Sequence, residues 1–239
     1  MRTRARAAAL CLLMGAVAVG CAGGAGDTAD AVDTRSADRL LGEADRTMKA
    51  LTSVTVVREV TTARNRHSSR LTTDLKSRCR VKSTASSGSE MEQIRIGGTD
   101  YIRGNDVYFE LWGRETVPAM RLKPWLKSPV SAAKGADLLA DCAWRFLPSS
   151  SGKATRDDPT ELDGVQVIPV EVADGEVEGG VFTYYVAAEG KPYLLRVDYK
   201  ERHSRRVTKF SAFNDRVDIQ PPPAADVLDL SSLPPDGAR

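Results

Sequence analysis

Ile94-Arg95-Ile96-Gly97-Gly98-Thr99-Asp100-Tyr101-Ile102-Arg103-Gly104-Asn105-Asp106-Val107-Tyr108-Phe109-Glu110-Leu111-Trp112 is the stretch on which the reading of the fold turns. Met91 to Ile96 alternates, with Ile94 and Ile96 on one face, as in a half-buried strand. Gly97-Gly98-Thr99-Asp100 is a hairpin signal, and Tyr101-Ile102-Arg103 continues as the return strand. Gly104-Asn105-Asp106 reads as a second turn. Val107-Tyr108-Phe109-Glu110-Leu111-Trp112 reads as another strand, with Val107, Phe109 and Leu111 on one side. Short strands joined by tight turns predict an antiparallel meander.

Toward the N-terminus the same period continues. Strands are predicted at Val54 to Val60, at 69–77, and at 78–84 around Cys79 and Val81. Before them the period changes to that of a helix. Ser36 is a good N-cap, Asp38 suits the first turn, and Ala37, Leu40, Leu41, Ala44, Met48 and Leu51 share one face. Toward the C-terminus, Pro118, Pro124 and Pro129 break the strand pattern across 113–150, with a helix predicted at Ser131 to Ala140. Strands resume at Thr160 to Val172, Gly180 to Ala187, Tyr193 to Lys200 and Val207 to Phe213. Pro221-Pro222-Pro223 ends the sheet, and a helical turn is expected at Ala224 to Leu228. The order helix, strands, helical insertion, strands predicts an α+β fold.

The first twenty residues stand apart. Arg2, Arg4 and Arg6 precede an apolar run from Ala7 to Val19, and Ala18-Val19-Gly20 leads into Cys21. That is the layout of a cleaved export signal, too short for a membrane span. The full chain carries 34 basic and 32 acidic residues. Removing those three arginines leaves 31 basic against 32 acidic, so the mature part has no strong nucleic-acid footprint. Ala18-Val19-Gly20-Cys21 resembles the lipobox of bacterial lipoproteins, although Ala18 stands where Leu is commoner. The resemblance implies diacylglyceration of Cys21 and cleavage just before it; the alternative is an ordinary secretory signal with an incidental Cys. Residues 21–35 then form a small, polar tether. The expected organisation is signal 1–20, tether 21–35, domain 36–233 and frayed tail 234–239, held at the extracytoplasmic face of the membrane by lipid.

Cys79 and Cys142 remain in the domain. An oxidising compartment favours a disulfide between them over a metal site; the alternative is two buried free thiols. His67 and His203 both sit among charged and polar neighbours, and the chain has no G-x-S-x-G, P-loop or H-E-x-x-H. No enzyme activity, cofactor, metal or nucleic-acid partner is expected. Arg64/Arg66/Arg70 and the arginines of 202–206 are two basic patches, read as solvated hairpin ends or as contacts for anionic lipid headgroups. Trp112, Trp125 and Trp144 suit a core, a rim or a pocket.

Taken together, the lipobox, the first helix, the 94–109 hairpin region, Lys191-Pro192-Tyr193-Leu194-Leu195-Arg196-Val197, Phe210-Ser211-Ala212-Phe213-Asn214 and Val217-Asp218-Ile219 resemble actinobacterial lipoproteins of the LppX/LprG type, within the LolA-like superfamily. The Cys79/Cys142 pair also looks like that of secreted relatives. The resemblance implies a strongly curved antiparallel β-sheet, an incomplete barrel, with helices packed on its concave side around an apolar cavity. It implies a protein that binds or carries a lipid or acylated ligand, or else a sensor or partner-binding protein of the same fold with a closed cavity; the chain is expected to be a monomer. Candidate lining residues are Ile94, Ile96, Val107, Phe109, Leu111, Phe182, Tyr184, Val186, Leu195 and Val197.

Overall fold

A computed structural model of the chain describes residues 35–111, 118–130, 142–147 and 152–232. The segments predicted as signal, most of the tether, the 131–140 helix and the tail lie outside the described residues, as do Cys21 and Trp112.

Helix α1 (Ala37–Lys49) begins where the sequence places it. The Ser36 hydroxyl accepts the Arg39 N–H at 3.4 Å, Asp38 lies in the first turn, and Arg46 and Lys49 lie in the last, each with a sign that suits the helix dipole. Leu40, Ala44 and Met48 are fully buried on one side. Burying a Leu or Met completely stabilises by roughly 1.5–3 kcal/mol each, so the helix is held by this face more than by its own propensity.

The strands are β1 (Val54–Thr62), β2 (Arg66–Thr73), β3 (Arg78–Ala85), β4 (Glu90–Ile96), β5 (Thr99–Gly104), β6 (Trp125–Pro129), β7 (Ala154–Arg156), β8 (Thr160–Leu162), β9 (Val165–Ala173), β10 (Val181–Ala187), β11 (Leu194–Lys200), β12 (Ser204–Ser211) and β13 (Val227–Asp229). They form one open, curved sheet in the order β13-β6-β5-β4-β3-β2-β1-β12-β11-β10-β9-β7, with β8 also on β9. Every pairing is antiparallel except that of β13 with β6. Two short helices, α2 (Asp106–Leu111) and α3 (Pro118–Leu122), connect β5 to β6.

Several boundaries differ from the sequence expectation, each for a local reason. The predicted strand at Val107–Trp112 is helix α2 over its described part. Asn105 caps it: its carboxamide oxygen accepts the Tyr108 N–H at 3.0 Å, and its carbonyl accepts the Phe109 N–H at 3.2 Å. The preceding Gly104 has no room for a side chain, since a Cβ there would overlap the Tyr108 ring. The second strand ends at Thr73 because the Asp74 carboxylate gathers the N–H groups of Lys76, Ser77 and Arg78 at 2.8–2.9 Å, turning the chain. The strand expected at 160–172 is the β8–β9 hairpin. Asp163 and Gly164 both have positive φ (52° and 83°), the signature of a tight hairpin turn. The Pro-punctuated region holds β6, and the expected turn at Ala224 to Leu228 is a 3-10 turn at Ala224–Asp226 followed by β13.

Cys79 and Cys142 are bridged, with Cα atoms 5.4 Å apart, and both are fully buried. The sheet is covered on two faces. The larger core joins α1 to Val54, Val56, Leu71, Val81, Met91, Phe182, Tyr184 and Phe210. A smaller one lies on the opposite face, where Val217 and Ile219 of the C-terminal segment cover Ile94, Ile96, Tyr101 and Trp125.

The β6/β13 pairing is tied by an ion pair between Lys127 and Asp229 at 2.8 Å. Hydrogen bonds from Lys127, then from the Ser231 hydroxyl and N–H, hold Asp229 down to about 2, below its ordinary 3.8. A carboxyl with a depressed folded value stabilises fully above its unfolded value and loses that contribution as pH falls through the folded one. The window is therefore from about pH 4 down to 2. In an acid titration followed by NMR, the Val227 and Leu228 amide signals move within that window. Lys127→Met brings the midpoint up toward 3.8; an unmoved midpoint refutes the assignment.

Candidate functional site

The strand registers decide which predicted lining residues meet. On the α1 face, one row runs Arg58–Thr208–Val197–Tyr184–Val170–Arg156 across β1, β12, β11, β10, β9 and β7. The next row runs Val60–Arg206–Tyr199–Phe182–Val172–Ala154. Phe182, Tyr184, Val186 and Val197 are thus brought together, all buried, with the Phe182 and Tyr199 rings 4.4 Å apart. Leu195 is half-buried at a register shift of β11, where its neighbour Leu194 pairs with Val186 and enters the core instead.

The other predicted residues do not join this set. Cys79 pairs with Arg95 across β3 and β4, and Val81 pairs with Gln93, so the odd-numbered residues of β4 share the α1 face. Ile94 and Ile96 point the other way, into the smaller core. In α2 the alternation of Val107, Phe109 and Leu111 no longer defines one side: Phe109 is 5% exposed and Leu111 66%.

Polar side chains that the sequence reading did not single out interrupt the α1 face. Arg95 is 1% exposed and Asp100 fully buried; the Arg95 Nε and Nη2 donate to the two Asp100 carboxylate oxygens at 2.7 Å each. Farther across the sheet, Arg58 lies over the Trp144 ring at 4.6 Å, and Arg206 over the Tyr199 ring at 4.9 Å. Burial, and then the charge of Arg206, push the Arg58 guanidinium below its ordinary value. The Arg58 Nε, and the Nε and Nη2 of Arg156, are shut off from solvent without a hydrogen-bond partner. Only the unusual residue type, an Arg in an apolar alternation at Val54-Thr55-Val56-Val57-Arg58, marks Arg58 in the sequence.

On the opposite face, the two basic patches converge. A concavity of about 390 Å³ is lined by Val57, Glu59, Arg66, Arg196, Arg205 and Lys209, among others. Its cations are mostly engaged: Arg196 grips Asp198 at 2.5 and 2.6 Å, Arg205 reaches the same carboxylate at 3.2 Å, and Lys209 pairs with Asp163 at 2.9 Å. This is a balanced ionic surface. Among the described residues, no three His, Cys, Asp or Glu side chains converge as a metal site would require. No helix among them is long and apolar enough to cross a membrane.

Comparison with solved structures adds the following. The fold is similar to that of mycobacterial lipoproteins. The lipoprotein LppX of Mycobacterium tuberculosis matches at 12% identity and a TM-score of 0.49, covering 76% of this chain and 96% of that one. LprF of Mycobacterium bovis matches at 13% identity and a TM-score of 0.46, covering 78% and 96%. MucB in complex with MucA matches at 10% identity and a TM-score of 0.40, covering 74% of this chain and 56% of that one. No family model matches the chain, and neither does any curated protein.

Proposed function

We propose that the chain is a lipid-anchored extracytoplasmic binding protein without catalytic chemistry, cleaved and acylated at Cys21, which takes an apolar or acylated ligand against the α1 face of its sheet. The observation that supports this reading is the breadth of that apolar face beside the helix described on it. Twelve strands side by side at ~4.8 Å spacing span about 53 Å along the sheet, whereas a helix with its side chains is about 10–12 Å across. The one long helix among the described residues, α1, packs on β7, β10 and β11. The apolar side chains of this face continue past it onto β1, β2 and β3, through Val54, Val56, Leu71 and Val81. There Val54, Val56, Leu71 and Val81 are buried, and Trp144, Phe146 and Leu147 are among the described residues packed in that core. A broad apolar face with a few polar groups at its margin is the make-up of a ligand site.

A second reading, a partner-binding protein whose face is filled from within, draws on the burial of Phe182, Tyr184 and Val186 in one core with Leu40, Ala44 and Met48. Native mass spectrometry and organic extraction separate the two. On the ligand-binding reading, the mature monomer carries an acyl lipid that is released on denaturation. A clean apo mass with no uptake of added lipid establishes the second reading instead. The intact chain extracted from membranes is expected to begin at Cys21 and to carry the mass of its acyl groups.

A further inference from the structure

On strands β2 to β5 the two faces of the sheet differ in charge. Toward α1 lie Cys79, Val81, Met91, Gln93 and Ile102, and the charges there, Arg95 and Asp100, neutralise each other. The opposite face of the same four strands carries Arg66, Arg70, Arg78, Arg80, Lys82 and Arg103 against Glu90 and Glu92. Register gathers most of them: one row crosses the strands as Arg70–Lys82–Glu92–Arg103, with Arg80 two residues from Lys82 on β3. Glu92 lies beneath three cations, with Arg103 at 2.6 Å, Arg80 at 3.4 Å and Lys82 at 3.7 Å. Its side chain is 10% exposed, whereas those of Arg103 and Lys82 are 48% and 61% exposed. Arg70 is exposed, faces Lys82 directly and has no ion pair among the described residues.

Solvation does not select one sign of charge, and like charges directly opposite each other on neighbouring strands are destabilising. The part of this face on β11 and β12 is balanced, since Asp198 and Asp163 answer Arg196, Arg205 and Lys209. On β2 to β5 the cations exceed the acids, and an external anionic surface supplies the missing charge. The patch suits a plane: four strands are three spacings of ~4.8 Å, about 14 Å across. Its cations spread along β3 as well as across the strands, which matches an array of phosphates better than a single polymer strand. The one engaged acid lies low and the cation tips project past it. The 21–35 tether, at ~5–6 Å × √n for a Gly-rich chain, holds the domain about 20 Å from an acylated Cys21. We propose that the face of β2 to β5 opposite α1 docks on the anionic lipid headgroups of the membrane that holds the anchor, leaving the α1 face clear of the bilayer. The proposal rests on the anchored reading above for reach alone.

The test is cosedimentation of the mature chain bearing Cys21→Ser with vesicles of phosphatidylcholine alone and of phosphatidylcholine mixed with phosphatidylglycerol in equal parts. The chain is expected to bind the anionic vesicles, to ignore the neutral ones, and to release in molar salt, where screening cuts the reach of a charge to ~3 Å. A basic residue at an anionic surface changes partitioning by about fivefold, so Arg70→Gln and Lys82→Gln each lose about that much and the double variant about twenty-five-fold. Lys200→Gln with Lys209→Gln is the control: it removes the same charge from β11 and β12 on the same face, and it is expected to leave binding nearly unchanged. An equal loss in the control shows that binding follows net charge, and it overturns the proposal. Equal binding to both kinds of vesicle, or binding to neither, overturns it too. Inorganic polyphosphate that binds the chain where anionic vesicles do not makes the partner a soluble polyanion and likewise overturns it. The anchor is read separately, from the mass of the chain extracted from membranes. A chain that lacks acyl groups and still binds the anionic vesicles upholds the docking face while the anchored reading falls.

Discussion

Replacing Cys79 and Cys142 together with serine lowers the stability of the chain by roughly 4 kcal/mol, the loop-closure entropy expected for a bridge of this span. The two residues are 63 positions apart, so the reduced unfolded chain gains much freedom. The native state loses something too. Cys142 anchors residues 142–147, and its carbonyl accepts the buried Thr73 hydroxyl at 2.6 Å. Trp144 and Phe146 follow it directly and lie against Phe210. Freeing the segment loosens the described cover over β1 and β12. Urea unfolding of the double serine variant, followed by tryptophan fluorescence, reads the loss as a lower midpoint. A midpoint equal to that of the oxidised wild type would falsify this account. Because both sulfurs are buried, mild reductant is expected to leave the folded protein oxidised and to act only once urea opens it.

Asp100→Asn is the second large effect, with an expected loss of about 3–5 kcal/mol. Arg95 and Asp100 face each other directly across β4 and β5, and both are shielded from water. Removing the carboxylate takes two charge-assisted hydrogen bonds from a guanidinium in a site closed to water. The penalty belongs to the counter-charge lost from a buried site and not to any large net worth of the pair, and that gives the test its sign. The double substitution Arg95→Met with Asp100→Leu, which removes both charges and keeps apolar volume, is expected to recover most of the loss. Thermal melts of the single and double variants decide it. A double variant no more stable than Asp100→Asn shows that the pair contributes something other than mutual neutralisation.

That ion pair also explains which part of the sheet could be read in advance. In β4 the even positions Ile94 and Ile96 are apolar, and the odd positions Gln93 and Arg95 are polar, so alternation alone directs the isoleucines to the main core. The structure reverses them. Cys79 must face Cys142, its cross-strand partner Arg95 shares that face, and Asp100 neutralises Arg95 there. The isoleucines are satisfied on the other side by Val217 and Ile219. A strand buried on both faces can turn its polar positions into either layer, so alternation does not fix its orientation. The helix α1 and the succession of short strands were legible because their periods are long and undisturbed. Asn105 was misread because Asn serves both a turn and an N-cap, and the residues after it suit either structure. Asp163-Gly164 was a readable hairpin signal inside what looked like one strand. Arg58 and Arg206 were invisible as a pair because their neighbourhood exists only once β1 lies beside β12.

The β1/β12 seam bears on how the molecule comes into being. One edge of β1 is matched almost at once, by β2 across a short turn, but its other edge waits for Ser204–Ser211. A chain that emerges N-terminus first, from a ribosome or a translocon, therefore carries its central strand with a bare, hydrogen-bonding flank until nearly all of it has been delivered. Such non-local closure is slow, and an open strand edge in the interval invites pairing with the wrong chain. The residues that guard it are already in place: Arg58, Glu59 and, on the adjoining β2, Arg66 and Arg70 put charge on both faces of the waiting ribbon. The same arginines that mark the finished sheet thus also protect the half-made one from its own copies.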